Sequence, residues 1–334
     1  MEVSRLGGRQ HRRHLPLVLV AAAVAAVLLA SCSSGGPVAG PGGSSQRPAP
    51  GPAASATKPV QPTTTSSLPP TTTTFAPEEP GWQTLSTGPR GIAVDERTFP
   101  QPDGSQVTVA RFLFGRVDYS LHVGSQDPPA GTAVIGPNSG PAVSGAERPL
   151  LLACFNGGFK ANTGSGGVEV GGQVLTPLSD GLASLVIDSA GDALVGVWGQ
   201  DVPPPGLTVV SVRQNLAPLV EGGVPSPQVG NISAWGATLG GGAAVARSAL
   251  GQDPQGDLLY AASMSAVPAD LASALVSAGA TVAMQLDINP YWVQLATAAT
   301  PGGTLVAQVP GQNRPADQCQ VGWTRDFVTV LSVG

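Results

Sequence analysis

The chain has 334 residues, of which 45 are Gly, 33 are Pro and only 11% are charged, with a formal net charge of −5. Gly and Pro are about twice as frequent as in an average protein and charge is under half the usual share, which excludes a charge-driven disordered chain, while the apolar content suffices for a core. The acidic balance leaves no basic face to neutralise a phosphate backbone, so no nucleic-acid partner is expected. Only three histidines occur, His11, His14 and His122; a histidine-rich zinc site is excluded, and a Ser-His-Asp triad would need His122 as its base.

The first element is an export signal. Arg5, Arg9, Arg12 and Arg13 precede an apolar run from Leu15 to Ala30, too short to span a bilayer comfortably. The run ends in Leu29-Ala30-Ser31-Cys32, which resembles a bacterial lipobox, so residues 1–31 are read as a removed signal and Cys32 as the lipidated residue, with an uncleaved membrane anchor and an incidental Cys as the alternative. Removal takes four Arg and one Glu and leaves 12 basic against 20 acidic side chains, net −8. Residues 32–80 follow as the lipidated Cys and a tether; 32 of the 48 residues from 33 to 80 are Pro, Gly, Ser or Thr, too few of them apolar to offset chain entropy. The strong Ala, Gly, Pro and Val usage, with Arg far above Lys, is of an actinobacterial type.

The folded part is expected over 81–334, as one α+β domain: a strand-rich mixed sheet with few helices. Val107–Phe112 and Tyr119–Val123 alternate, Leu150–Phe155 is nearly all apolar as in a central strand, and Leu182–Asp188 with Ala193–Trp198 reads as a hairpin. Pro268–Ala278 reads as a helix with Leu271 and Leu275 on one face and Gly279 at its end. Strands at Leu258–Ala262 and Thr281–Leu286 flank it, which predicts a strand–helix–strand unit near 258–287. Cys154 and Cys319 remain after Cys32 is set aside. In an oxidising compartment they form a disulfide or stay as two buried thiols.

Four segments carry candidate chemistry. Asn156-Gly157-Gly158-Phe159-Lys160 follows the apolar run; its glycines allow close backbone approach and its N–H groups suit an anion, although Asn-Gly is also an ordinary turn. Lys160 is the only Lys of 81–334. Arg213-Gln214-Asn215 is a short polar group that also suits a solvated loop. Arg247 in Arg247-Ser248-Ala249-Leu250-Gly251 lies among apolar residues, where a guanidinium needs an anion, a carboxylate or buried carbonyls. Met284-Gln285-Leu286-Asp287-Ile288-Asn289-Pro290-Tyr291-Trp292 puts a carboxylate at a strand end, beside aromatics able to wall a sugar ring; the same Asp suits a turn cap.

Taken in order, these segments resemble the phosphodiester glycosidase family, to which the animal uncovering enzyme belongs, over about residues 105–332. Asn156-Gly157-Gly158-Phe159 matches the family's Asn-Gly-Gly-aromatic turn, and Arg247-Ser248-Ala249-Leu250-Gly251 its Arg-Thr/Ser-Ala-x-Gly segment. The family's Leu-Asp-Gly-Gly-Gly-Ser is kept as Leu286-Asp287, while Ile288-Asn289-Pro290-Tyr291 replaces the tail. The resemblance implies a cell-envelope hydrolase that cleaves a sugar from a phosphodiester. A phosphate monoester leaves with little protonation, so the chemistry asks for charge stabilisation and a carboxylate to activate water or support the oxocarbenium-like centre. Asp287 and Arg247 are the expected catalytic pair, with Asn156, Gly157, Gly158, Lys160, Arg213, Asn215, Asn289 and Trp292 binding substrate. No cofactor and no metal are expected; the acidic residues lack calcium-loop spacing. The expected partners are a sugar phosphodiester or envelope glycan and, through Cys32, the outer face of the cytoplasmic membrane. An inactive glycan-binding lipoprotein and a purely structural envelope protein are the alternatives.

Overall fold

The computed structural model describes residues 81–130, 136, 138–236 and 241–334; the export signal, the tether and Cys32 lie outside the described residues. In chain order the strands are β1 (Gln83–Gly88), β2 (Gly91–Pro100), β3 (Gln106–Phe112), β4 (Val117–His122), β5 (Leu151–Asn156), β6 (Val168–Val170), β7 (Gln173–Thr176), β8 (Ala183–Asp188) and β9 (Ala193–Val197). They continue as β10 (Val209–Gln214), β11 (Val220–Glu221), β12 (Val224–Pro225), β13 (Val245–Gln252), β14 (Leu258–Ala266), β15 (Val282–Gln285), β16 (Leu295–Thr297), β17 (Val306–Ala307) and β18 (Phe327–Ser332). The described α-helices are α1 (Pro268–Ser277) and the single turn α2 (Gln318–Val321).

Three sheets result. The first has eight strands in the order β1-β2-β3-β14-β13-β15-β11-β12; the second runs β17-β16-β5-β18-β4 and the third β7-β6-β10-β8-β9. Every ladder between these strands is antiparallel, which corrects the expectation of a mixed sheet. The reason is local. The chain passes through α1 from β14 to β15, and such a crossover leaves the two strands running the same way, yet β13 lies between them and pairs antiparallel with both.

Side-chain alternation explains the apolar runs. On β14, Leu258, Tyr260 and Ala262 face the large central core, whereas Leu259 and Ala261 face a second cluster that α1 covers with Leu271 and Leu275. On β5, Leu152, Ala153 and Phe155 join the central core while Leu151 and Cys154 join a third cluster with Trp323 and Phe327, the alternation shifting by one where the ladder to β18 is irregular opposite Val330 and Leu331. Both strands are buried on two faces, so they read as continuous apolar stretches. Phe155 anchors the centre, stacked on Phe112 at 5.6 Å and tilted on Tyr260 at 5.1 Å between ring centroids. Helix α1 starts at Pro268, with the Asp270 carboxylate accepting from Val267 N–H at 2.8 Å. Each of its two buried leucines contributes about 1.5–3 kcal/mol by burial. Cys154 and Cys319 are joined as a disulfide that ties β5 to α2.

Candidate active site

Strand ends from all three sheets meet at one place. β5 runs into Gly157-Gly158, β10 into Asn215-Leu216 and β15 into Asp287, while Arg325 and Asp326 lead into β18, whose Phe327 pairs with Asn156. Between them lies a cavity of about 540 Å³, lined among others by Phe159, Lys160, Ser165, Leu216, Gly236, Asp287, Ile288, Asn289, Trp292 and Arg325.

Asp287 is the carboxylate of this cavity. Its Oδ1 accepts from the N–H groups of Ile288 at 2.7 Å and Asn289 at 2.8 Å, so the turn expected after the strand is present. Its Oδ2 accepts from Arg325 Nη2 at 3.2 Å. Burial pushes the carboxyl up to about 6, against the downward pull of the Arg325 guanidinium. Arg325 also donates to Gly158 O at 2.7 Å, and its Nε lies 3.3 Å from Asp127 Oδ2. Its guanidinium carbon sits 5.2 Å from the Trp292 ring centroid. The cavity therefore has an anionic point on its floor, a fixed guanidinium beside it, an aromatic wall and the single lysine of 81–334 at its mouth.

The glycine pair has a different task from the one expected. Gly157 N–H donates to the backbone carbonyl of Asp326 at 3.0 Å, and Gly158 N–H alone donates to its carboxylate, at Oδ2 and 3.3 Å, so the anion beside the pair is the protein's own. Asp326 is in turn ion-paired with Arg213 at 2.6 Å, both side chains 1% exposed. A Cβ on Gly157 would lie 2.0 Å from Asp326 Oδ2, and one on Gly158 3.0 Å from Arg213 Cζ. Neither glycine has a positive φ; close approach of a buried ion pair is what requires them.

Several expected substrate-binding residues belong to this frame rather than to the cavity lining. Arg213 is buried and also donates to Gln214 O and Phe159 O, which replaces the expected solvated loop. Asn215 donates from Nδ2 to Gln285 O and Leu286 O, both at 2.7 Å, and accepts from Phe159 N–H, fixing three cavity-forming segments at once. Asn156 donates to Gly157 O and Ser248 Oγ and accepts from Tyr260 Oη and Gln294 N–H. Ser248 Oγ accepts from Asp287 N–H at 3.2 Å, so Asn156 reaches the cavity carboxylate's backbone through one hydroxyl.

Arg247 is placed behind the cavity. It is fully buried and donates to Ala266 O at 3.0 Å, Gln285 Oε1 at 3.0 Å, Trp235 O at 3.4 Å and Ala243 O at 3.4 Å. Its side chain alternates with that of Ser248 on β13 and so lies on the α1 side of the sheet. Burial lowers its pKa to about 10, with Asp270 acting the other way. The guanidinium clamps the segment around Trp235, beside Gly236 in the cavity wall, onto β15. Of the expected site residues, Asp287, Lys160, Asn289 and Trp292 thus line the cavity, and Asn156, Gly157, Gly158, Arg213, Asn215 and Arg247 build it.

No protein-family model and no curated protein matches the sequence. Fourteen solved chains match the fold. One is the catalytic domain of zebrafish N-acetylglucosamine-1-phosphodiester alpha-N-acetylglucosaminidase, auto-inhibited by its pro-peptide, at 15% identity and a TM-score of 0.47 over 76% of this chain and 88% of that one. Another is a hypothetical protein from Synechocystis, at 14% identity and a TM-score of 0.41 over 72% of this chain and 62% of that one. Each is a distant similarity of chain path.

Two site features escaped the sequence reading. Arg325 and Asp326 are adjacent opposite charges directly before an apolar strand, a sparse signal in a chain so poor in charge. Leu216 has φ 61°, the one non-glycine positive φ among the described residues, and it lines the cavity; no composition rule marks a leucine for that conformation. His122 is fully buried between Gly140 O at 2.8 Å and Glu147 Oε1 at 3.0 Å, and does not line the cavity. Among the described residues no group of three or more His, Cys, Asp or Glu side chains could hold a metal ion, and no helix is long and apolar enough to cross a membrane.

Proposed function

We propose that the cavity hydrolyses a sugar-1-phosphodiester, on an exported protein anchored to the outer face of the cytoplasmic membrane through Cys32. The observation that carries this reading is the buried Asp287 carboxylate, raised to about 6 and held against Arg325 on the floor of a cavity walled by Trp292. At pH 7 roughly nine-tenths of such a carboxyl is ionised, so it is a base with a useful proton affinity rather than an inert anion. Oδ1 is occupied by two backbone N–H groups; Oδ2, with one donor, keeps a lone pair for a water.

The sugar ring lies against Trp292, and its C1 faces Asp287. As the bond from C1 to the phosphate oxygen breaks, Asp287 takes a proton from the attacking water and the new O–C1 bond forms. The electron pair of the broken bond leaves with the phosphate monoester, whose growing charge is met by Lys160 and Arg325. Arg325 takes the place in this chemistry that the sequence reading gave to Arg247. Its Nη1 edge suits a phosphate oxygen, since its hydrogen bonds to Gly158 O and Asp287 both come from Nη2 while Nε only lies at ion-pair distance from Asp127.

The engagement of both Asp287 oxygens by the protein itself favours a second reading, glycan binding without turnover. A panel of activated sugar-1-phosphodiesters presented to the full chain tests between them, with Asp287→Asn as the control. Release of sugar by the parent and none by the variant is expected; binding without release supports the second reading. Retention of Cys32→Ala in the membrane fraction would overturn the lipid anchor.

A further inference from the structure

Pro290 and Tyr291 are the two residues of the Asp287–Trp292 segment that do not line the cavity, and Tyr291 is the exposed one. Its ring is 57% exposed and does not line the cavity, although Trp292 beside it does. Arg314 meets it from the loop after β17. Arg314 Nε donates to Tyr291 O at 2.7 Å, Asn313 Nδ2 donates to Pro290 O at 3.0 Å, and Gln312 Nε2 donates to Arg314 O at 3.0 Å. These bonds stitch the two loops together. They also hold the Arg314 guanidinium carbon 4.9 Å from the Trp292 ring centroid, the same ring that Arg325 approaches at 5.2 Å from its cavity position.

Two guanidinium groups therefore share one indole, and they differ in their partners. Arg325 has Asp127 and Asp287. Arg314 has no carboxylate within ion-pair distance among the described residues, and the one hydrogen bond of its guanidinium there is the one from Nε. Stacking covers a guanidinium's flat face and leaves its two terminal N–H edges directed outward, in the fork that matches a phosphate or carboxylate. Holding a cation rigid, unneutralised and one ring away from the reacting phosphate, in a chain of net charge −5, prepares an anion site.

We propose that Arg314, held against Trp292 by the Tyr291 carbonyl, forms an outer subsite that takes the far end of the leaving group, and that this leaving group carries a second phosphate a few bonds beyond the one cleaved. The inference rests on the reading of the cavity as the active site and adds a substrate class to it: a glycosyl phosphodiester of a phosphorylated alcohol. Trp292 sits between the two halves, with the sugar and first phosphate inside it and the second phosphate on its Arg314 side.

The test is binding, so it does not depend on turnover. The purified full chain is titrated with methyl phosphate and with propane-1,3-diyl bisphosphate, alongside Arg314→Gln and Arg97→Gln. Arg97 is a matched control, a guanidinium 5.1 Å from the ring centroid of Phe99 on the eight-stranded sheet. The parent is expected to bind the bisphosphate at least tenfold more tightly than methyl phosphate. Arg314→Gln should bring the two within threefold while leaving methyl phosphate affinity unchanged, and Arg97→Gln should alter neither. A preference that survives Arg314→Gln, or that Arg97→Gln removes equally, overturns the subsite and assigns Arg314 to clamping Trp292. Methyl phosphate binding without any bisphosphate preference in the parent also overturns it but leaves the active-site reading standing. Failure of both phosphates to bind the parent removes that reading and the subsite with it.

Discussion

Asp287→Asn should separate stability from turnover. In the folded chain burial raises this carboxyl from 3.8 to about 6. A displacement of that size is worth about 3 kcal/mol between the two protonation states. Below about pH 4 the group is protonated whether the chain is folded or not. Between there and about pH 6 the folded chain keeps a proton that the unfolded chain has released, so stability falls as pH rises. Above about pH 6 the whole of the roughly 3 kcal/mol is lost. The amide variant never ionises and keeps an Oδ1 acceptor for Ile288 and Asn289. Against this gain stands Arg325, which loses one acceptor and retains Gly158 O and Asp127. The variant should therefore exceed the parent by no more than about 1 kcal/mol at pH 4.5 and by up to about 3 kcal/mol at pH 7.5. Urea unfolding of both proteins at the two pH values measures this directly. A variant less stable than the parent by the same amount at both values would refute the burial argument. For the parent, kcat/KM should decline as pH falls through about 6, because the base is then protonated.

Other consequences are equally concrete. Gly157→Ala sets a Cβ 2.0 Å from Asp326 Oδ2 and must part the buried Arg213–Asp326 pair, costing about 3–5 kcal/mol in thermal or urea unfolding. Arg247→Met should lower stability by about 2–4 kcal/mol through carbonyls left without donors, while methyl phosphate affinity changes less than threefold; a large loss of affinity with intact stability would return Arg247 to the cavity. Reducing the Cys154–Cys319 bridge, at a sequence separation of 165, should destabilise by about 5 kcal/mol on the chain-entropy account, read as a shift of the urea midpoint with and without reductant.

The strands were legible where one rule governed them. The β8–β9 hairpin announced itself by its turn, β5 by two-sided burial, and α1 by Pro268 and its leucine spacing. Sheet order was hidden because β13 pairs between β14 and β15 across a crossover, a choice made by tertiary packing rather than by either strand. At the site, the sequence marked residue types that are unusual in their surroundings, and these proved to be of two kinds. Asp287, Lys160, Asn289 and Trp292 are unusual because they face the cavity. Asn156, Gly157, Gly158, Arg213, Asn215 and Arg247 are unusual because the buried frame is polar and each member must satisfy several neighbours. One-dimensional spacing cannot separate the two, since both put polar groups at the ends of apolar strands. Arg325 was missed because its partners, Asp127 and Asp287, are remote in sequence.

The position of β18 has a consequence for the order in which the molecule can be assembled. This last strand in chain order is interior to its sheet, hydrogen-bonded to β5 on one side and β4 on the other. Until residues 327–332 arrive, β4 and β5 each present an open edge, Asn156 lacks its register partner, and Gly157-Gly158 lacks the carboxylate it wraps. The site segments of β5 therefore cannot be closed before residues 327–332 are available, and these contacts span a long stretch of chain, a slow topology with aggregation-prone edges exposed in the interval. Shortening the chain by a single strand at that end would remove the seam on which two of the three sheets' site segments are aligned, even though no residue of β18 lines the cavity.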